Sequence, residues 1–173
     1  LGALANYIPT LWKKQIKNLQ NIFDYAVDHD IEHVFLLGDI FDSPNPSDQL
    51  KIWLRKLLWS YRKTLTFHVV IGNHDWESNE KHALQILQDL GETGLFNFKV
   101  YTKPEVIKVD GIRLFMCSHP HVLDVPSKNV DWCLGHFAWH GAKADNGFTV
   151  KSGKAPKGRW ILGDFHLHQH GDR

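Results

Sequence analysis

Four stretches of this 173-residue chain place metal-binding residue types in the same local setting. Val34-Phe35-Leu36-Leu37-Gly38 runs straight into Asp39, with Asp42 three residues further on. Val69-Val70-Ile71-Gly72 leads to Asn73-His74-Asp75, Trp132-Cys133-Leu134-Gly135 to His136, and Trp160-Ile161-Leu162-Gly163 to Asp164-Phe165-His166. Carboxylate, amide and imidazole donors suit divalent ions of intermediate hardness better than a thiolate site would. Two such ions about 3.5–4 Å apart can clamp the attacking and leaving oxygens of a phosphoester. A pair of cations needs a shared anion to offset their repulsion, and Asp39 is the candidate bridge. Asn73 offers a neutral oxygen, His136 and His166 offer imidazoles, and Asp164 adds a second carboxylate. His74 and Asp75 are the candidate catalytic pair. The His74 ring is placed to reach the substrate and to protonate a leaving oxygen or stabilise the transition state. Asp75 or Asp42 would hold partners in place behind the ligands.

Gly-Asp and Gly-Asn are common turn pairs, so any one of the four stretches alone reads as a core strand followed by an ordinary loop. The fourfold recurrence makes a shared site the better reading. Short apolar runs closed by glycine read as buried strands, with glycine letting the backbone turn as each strand ends. Strands lying side by side in one sense would collect these donors on one rim.

The elements between the strands are helical. From a Thr10 N-cap, Trp12, Ile16, Leu19, Phe23 and Val27 form one stripe. Ser47 caps a second helix with Leu50, Leu54, Leu57, Leu58 and Tyr61 on one face. Trp53, Arg55, Lys56, Trp59, Arg62 and Lys63 lie around the rest, a pattern of a solvated face or of contact with a nucleic acid or a partner chain. A third helix is expected from about Asn79 to Leu90, closed by Gly91. The second half reads as strands at Lys99–Tyr101, Val106–Val109 and Ile112–Cys117, with Asp110-Gly111 as a tight turn. Ser118-His119-Pro120-His121 follows at a strand end, and His119 and His121 are candidates for a substrate-phosphate contact. A loop rich in Gly and Lys, Gly141 to Gly158, is a surface connection or a substrate-contacting lid. The order of elements argues for an α/β layered fold in one domain.

Composition narrows little further. An apolar share of 43% is that of a globular protein, and a net charge of +1 leaves any nucleic-acid surface to a local patch. Cys117 and Cys133 sit in apolar runs and read as buried free thiols, in keeping with a reducing, cytoplasmic setting. No apolar run is long enough to span a bilayer, so no membrane association is expected.

The ordered set Gly38-Asp39-Ile40-Phe41-Asp42, Gly72-Asn73-His74-Asp75, Gly135-His136 and Gly163-Asp164-Phe165-His166 resembles the GDxxD, GNHD/E, GH and GHxH motifs of the calcineurin-like metallophosphoesterases. The resemblance extends from about Leu1 to Gln169. It implies a two-sheet α/β sandwich flanked by helices, with two divalent ions at the strand ends. Asp39 would bridge them, Asn73, His136 and Asp164 would hold one, and His166 the other, with His74 as the catalytic histidine. Gly38–Ser43 and Gly135–Ala142 are most similar to SbcD-type DNA repair nucleases. That similarity implies manganese (magnesium or iron serving in its place), DNA as substrate and an SMC-like ATPase as partner.

Two departures are visible. Residues 1 to 9 lack the Asp-x-His pair that opens the family pattern, and Asp164 replaces the first histidine of GHxH. The first suggests a catalytic-domain fragment, incomplete at both ends, whose first strand lies upstream of Leu1. The second should favour hard ions, with His168 and His170 as nearby substitutes. Besides the DNA nuclease, the residues admit a phosphatase or small-molecule phosphodiesterase, and a catalytically degenerate DNA-binding or scaffold subunit. Surplus Trp53 and Trp59 on the second helix raise a homodimer as a further expectation.

Overall fold

The computed structural model describes residues 9–78, 81–119, 121, 129–139, 141–143, 147–151 and 158–164. Two sheets make the frame. The first contains β1 (His33–Leu37), β2 (Thr66–Val70) and β5 (Phe98–Tyr101), all parallel, in the order β1-β2-β5. The second contains β6 (Glu105–Val109), β7 (Ile112–Cys117), β8 (Trp132–His136) and β9 (Trp160–Gly163) in that spatial order. β6 and β7 form an antiparallel hairpin turned by Asp110 and Gly111, both at positive φ, while β7, β8 and β9 run parallel. The layered α/β architecture is the one expected. The four glycine-closed strands, however, do not lie side by side: β1 and β2 belong to one sheet, β8 and β9 to the other.

Alternation along each strand sorts the core into layers. In β1 and β2, Val34, Leu36, Phe67 and Val69 face the helices α1 (Pro9–Asp28) and α2 (Asp48–Ser60), against Phe23, Leu54 and Leu58. Phe35, Leu37 and Val70 point the other way and meet Leu114, Met116 and Leu134 of the second sheet. Phe115, Cys117 and Cys133 form a third layer with Phe137 beyond it. Both cysteines are free and buried, as expected. Each fully buried Leu or Phe contributes about 1.5–3 kcal/mol, so the two larger layers supply most of the cohesion. A buried imidazole lies within the sandwich: His68 Nδ1 is 2.7 Å from the Tyr101 hydroxyl and its Nε2 is 3.0 Å from His33 Nδ1. Burial, then the neighbouring His33 and Lys99, push the His68 pKa down to about 4, so the ring is neutral near pH 7.

The helices depart from expectation in detail. Thr10 lies within α1 and not at its cap, and the stripe of α1 ends on buried Ala26 while Val27 is exposed. Ser47 caps α2 as expected, its Oγ accepting from Leu50 N at 3.4 Å. The third helix is shorter and later than its apolar spacing suggested. β3 (Trp76–Ser78) and β4 (Lys81–His82) form a small antiparallel pair, and α3 occupies Gln85–Glu92. Cross-strand stacking of Trp76 on His82 competes with the helix for these residues. Gly91 does not close α3 but lies within it, and its lack of a side chain serves the approach of α3 to β5: a Cβ there would sit 2.0 Å from the Phe98 carbonyl oxygen. No helix among the described residues is long and apolar enough to cross a membrane.

A buried clasp joins the sheets near the strand ends. Ile71 N donates to Ser118 Oγ at 2.6 Å, and the Ser118 hydroxyl donates to the Tyr101 carbonyl. His119 N then donates to the Ile71 carbonyl at 2.9 Å. One hydroxyl thus ties the end of β7 to the ends of β2 and β5. Ser118→Ala leaves a buried N–H without a partner and should lower stability by about 1–3 kcal/mol, read as a lower urea midpoint at unchanged slope.

Candidate metal centre

β1, β2, β8 and β9 end at one place, although they come from two sheets. His136, the last residue of β8, pairs across to Gly163 of β9. Its ring crosses to the first sheet, where Nδ1 donates to the Leu37 carbonyl at 2.7 Å. A carbonyl can only accept, so the proton is on Nδ1 and the Nε2 lone pair is left facing the donors opposite. Those are Asn73 Oδ1 at 3.0 Å, Asp39 Oδ2 at 3.3 Å and Asp164 Oδ1 at 3.9 Å. The ligand atoms of Asp39, His136 and Asp164 all lie within 4.8 Å of one another.

Three oxygen acceptors and a nitrogen lone pair converging in this way repel one another unless a cation or a proton lies between them. Burial works against protonating His136, but its hydrogen bonds to Asp39 and Leu37 and the charges of Asp39 and Asp164 prevail and hold its pKa above the ordinary value. Asp39 shows the converse: burial opposes ionisation, yet the His136 bond, its charge and the His74 backbone N–H hold the carboxyl below its usual range. Burial and the Asp39 charge push Asp164 upward, the His136 charge only partly offsetting them. The proton that His136 attracts occupies the place of a divalent ion, and the oxygen-rich donor set fits one of hard or intermediate character. Asp39, Asn73, His136 and Asp164 would hold it.

The backbone is shaped to bring these groups together. Gly38 has φ +78° and a Cβ there would lie 2.3 Å from His136 Nδ1. Asp39 and Asp164 themselves sit at positive φ, 49° and 91°. Gly72 and Gly163 have a different reason to be glycine. A Cβ on Gly72 would lie 2.1 Å from Asp39 Oδ1, and one on Gly163 would lie 2.0 Å from the Leu37 carbonyl oxygen. Close approach decides these positions, where turning alone was expected.

Asp75 stands behind the cluster, fully buried. It accepts from Phe41 N at 2.9 Å, Gly72 N at 3.1 Å and Ile40 N at 3.2 Å, which fixes the loops after β1 and β2 relative to each other. Burial outweighs these three bonds and pushes its pKa up to about 6. With both oxygens engaged by backbone, Asp75 has the geometry of a brace, the second of the two roles its sequence setting offered, and not that of a group reaching a substrate. His74 is exposed; its N donates to Asp39 Oδ1 at 3.0 Å, and its Nδ1 lies 3.3 Å from the Asp42 carbonyl oxygen. Asp42 therefore meets His74 through its backbone and not its carboxylate. His119 is half-buried and within electrostatic reach of Asp39, His136 and Asp164, whereas His121 is exposed and meets Cys117 Sγ through its carbonyl at 3.0 Å. His166, His168 and His170 lie outside the described residues. Two participants were not singled out from sequence. The Leu37 carbonyl leaves no trace in residue type, and Ser118 was visible only as part of a polar strand end.

The sequence profile of the calcineurin-like phosphoesterases matches residues 12–171. The chain belongs to that family. No individual curated protein matches it. This metallophosphoesterase is accordingly a metal-dependent phosphoester hydrolase, and each of its four ordered motifs contributes one side chain, Asp39, Asn73, His136 or Asp164, to the cluster at the two-sheet rim.

Two outcomes follow for metal binding. Proton and cation compete for His136 Nε2, so affinity should fall with acid, beginning above the ordinary imidazole value of 6.5. Calorimetric manganese titrations between about pH 8 and about pH 6 should show the loss, approaching tenfold per unit once His136 is protonated. Gly72→Ala forces Asp39 aside and should weaken manganese binding by at least about tenfold while the protein stays folded by circular dichroism.

Proposed function

We propose that this metallophosphoesterase is a DNA nuclease, using two manganese ions and working with an SMC-like ATPase in an SbcCD-type complex. The observation that carries the hydrolytic part is the convergence of Asp39, Asn73, His136 and Asp164 around the Nε2 lone pair of His136. Similarity of Gly38–Ser43 and Gly135–Ala142 to SbcD-type nucleases supports the substrate and partner.

Divalent cations, when bound, acidify a water and offset the charge that builds on the phosphate. The chain's own residues do the rest. His136, held by Leu37, keeps Nε2 free of its proton for the cation. Asp39 engages both sides of the site, one oxygen toward His136 and the other accepting from His74 N. Asp75 keeps the two loops in register through its three backbone bonds. With Nδ1 turned to the Asp42 carbonyl, His74 presents Nε2 to solvent, from which it would hand a proton to the leaving oxygen. His119 is the closer candidate for a phosphate contact, and His121 the outer one.

Linear duplex and hairpin DNA should be tested with manganese beside bis(p-nitrophenyl) phosphate and p-nitrophenyl phosphate. Cleavage of DNA is expected, with His74→Asn lowering kcat by about 10²–10⁴-fold while manganese affinity is retained. Hydrolysis of the monoester alone would replace the nuclease by a phosphatase. Absence of both hydrolysis and metal binding would leave the scaffold subunit as the reading.

A further inference from the structure

The outer face of α2 carries a group of side chains that the metal centre does not use. Arg55, Lys56 and Trp59, with Leu90 of α3, line a cavity of about 350 Å³. Trp59 is 41% exposed, and the Arg62 guanidinium lies 4.3 Å from its ring centroid. Its ring also meets Phe96, 6.2 Å away centroid to centroid, so the indole is held in place and not free to collapse. Among the described residues neither Arg55 nor Lys56 has an ion-pair partner. On α3, Asp89 accepts from the Gln85 amide and Glu92 from the Gln88 amide, and neither is ion-paired with Arg55 or Lys56 among the described residues. The cavity thus combines an apolar slot, an anchored aromatic wall and two cations without an ion-pair partner among the described residues.

We propose that this surface binds single-stranded nucleic acid, one nucleotide unit at a time, with the base against Trp59 and Leu90 and its phosphate on Arg55 and Lys56. A nucleotide ties a planar ring to an anion at fixed spacing, which is the complement of what the cavity offers. The volume is at the low end for small-ligand sites and suits one base. Aromatic stacking beside cations holds single strands without regard to sequence, and a strand is required because a paired base has no free face to stack. α2 starts beside the loop that carries Asp39 and runs away from it for 13 residues, about 20 Å. The surface would therefore hold strand at a distance from the bond being cut. The inference shares the nucleic-acid partner of the function proposed above, but its test needs no cleavage.

Binding of a fluorescein-labelled oligothymidylate should be followed by anisotropy and by tryptophan quenching, in EDTA, for the full chain. Trp59→Ala should weaken binding about five- to tenfold, with Trp59→Phe recovering much of it. The Arg55→Gln, Lys56→Gln pair leaves the packing untouched and should make the salt dependence of log K shallower by about 0.7 for each phosphate no longer neutralised. Lys108→Gln, which removes an exposed cation from β6 away from both α2 and the metal centre, should bind as the parent does. Equal binding by parent and α2 variants, or no binding by the parent, would overturn the proposal. So would displacement by poly-glutamate with no change in tryptophan emission, which would mark the face as one for acidic polypeptides. Oligonucleotide binding that fails only in the α2 variants supports the subsite even if no DNA is hydrolysed, an outcome that would overturn the nuclease alone.

Discussion

The hydrogen bond from His136 Nδ1 to the Leu37 carbonyl is the constraint on which the rest of the site depends. It joins the last residue of β8 to the last residue of β1, and so one sheet to the other. It also selects the tautomer that leaves Nε2 for Asp39, Asn73 and Asp164. A carbonyl that is both the end of a strand and the orienting partner of a ligand cannot move without altering both. The Gly163 backbone packs directly on that same carbonyl, which explains why the strand delivering Asp164 tolerates no side chain there.

Around this bond the chain accepts local conformations it would otherwise avoid. Asp39 and Asp164 both sit at positive φ. Such a conformation costs of order 1 kcal/mol or more for a residue with a side chain, though aspartate bears it better than most. The surrounding bonds hold the strain in place. Asp75 clamps Ile40, Phe41 and Gly72, while Ser118 secures Ile71 and Tyr101. Stability is thereby concentrated behind the site, and exposed side chains such as Asn73 and His74 remain in front of it.

The sequence made the strand ends legible because the pattern was redundant: four apolar runs, four glycines, four polar donors. The second helix was equally clear, since Ser47 supplies a cap and Leu50, Leu54 and Leu58 an unbroken stripe. What failed to show was whatever depends on distant chain. That the donors come from two sheets is a matter of topology, and no strand announces its neighbours. The helix expected from Asn79 gave way to a strand pair because Trp76 and His82 find each other, a tertiary preference that local spacing does not record. Gly91 carried a helix-end signal that was misleading, its real function being to let α3 approach β5. For Asp75 the sequence left open a catalytic partner of His74 or a support behind the ligands, and its burial and three backbone bonds favour the support.

Splitting the ligands between the sheets has a thermodynamic consequence. Asp39 and Asn73 belong to loops of one sheet, His136 and Asp164 to the other. An ion that needs all four binds only when the two halves are docked, so occupancy and sandwich assembly are linked functions. At a free concentration a hundred times the dissociation constant, such a ligand adds about 2.7 kcal/mol to the assembled state. The supply of divalent metal would then govern the mechanical integrity of the sandwich as well as its reactivity, the centre acting as a rivet through both layers.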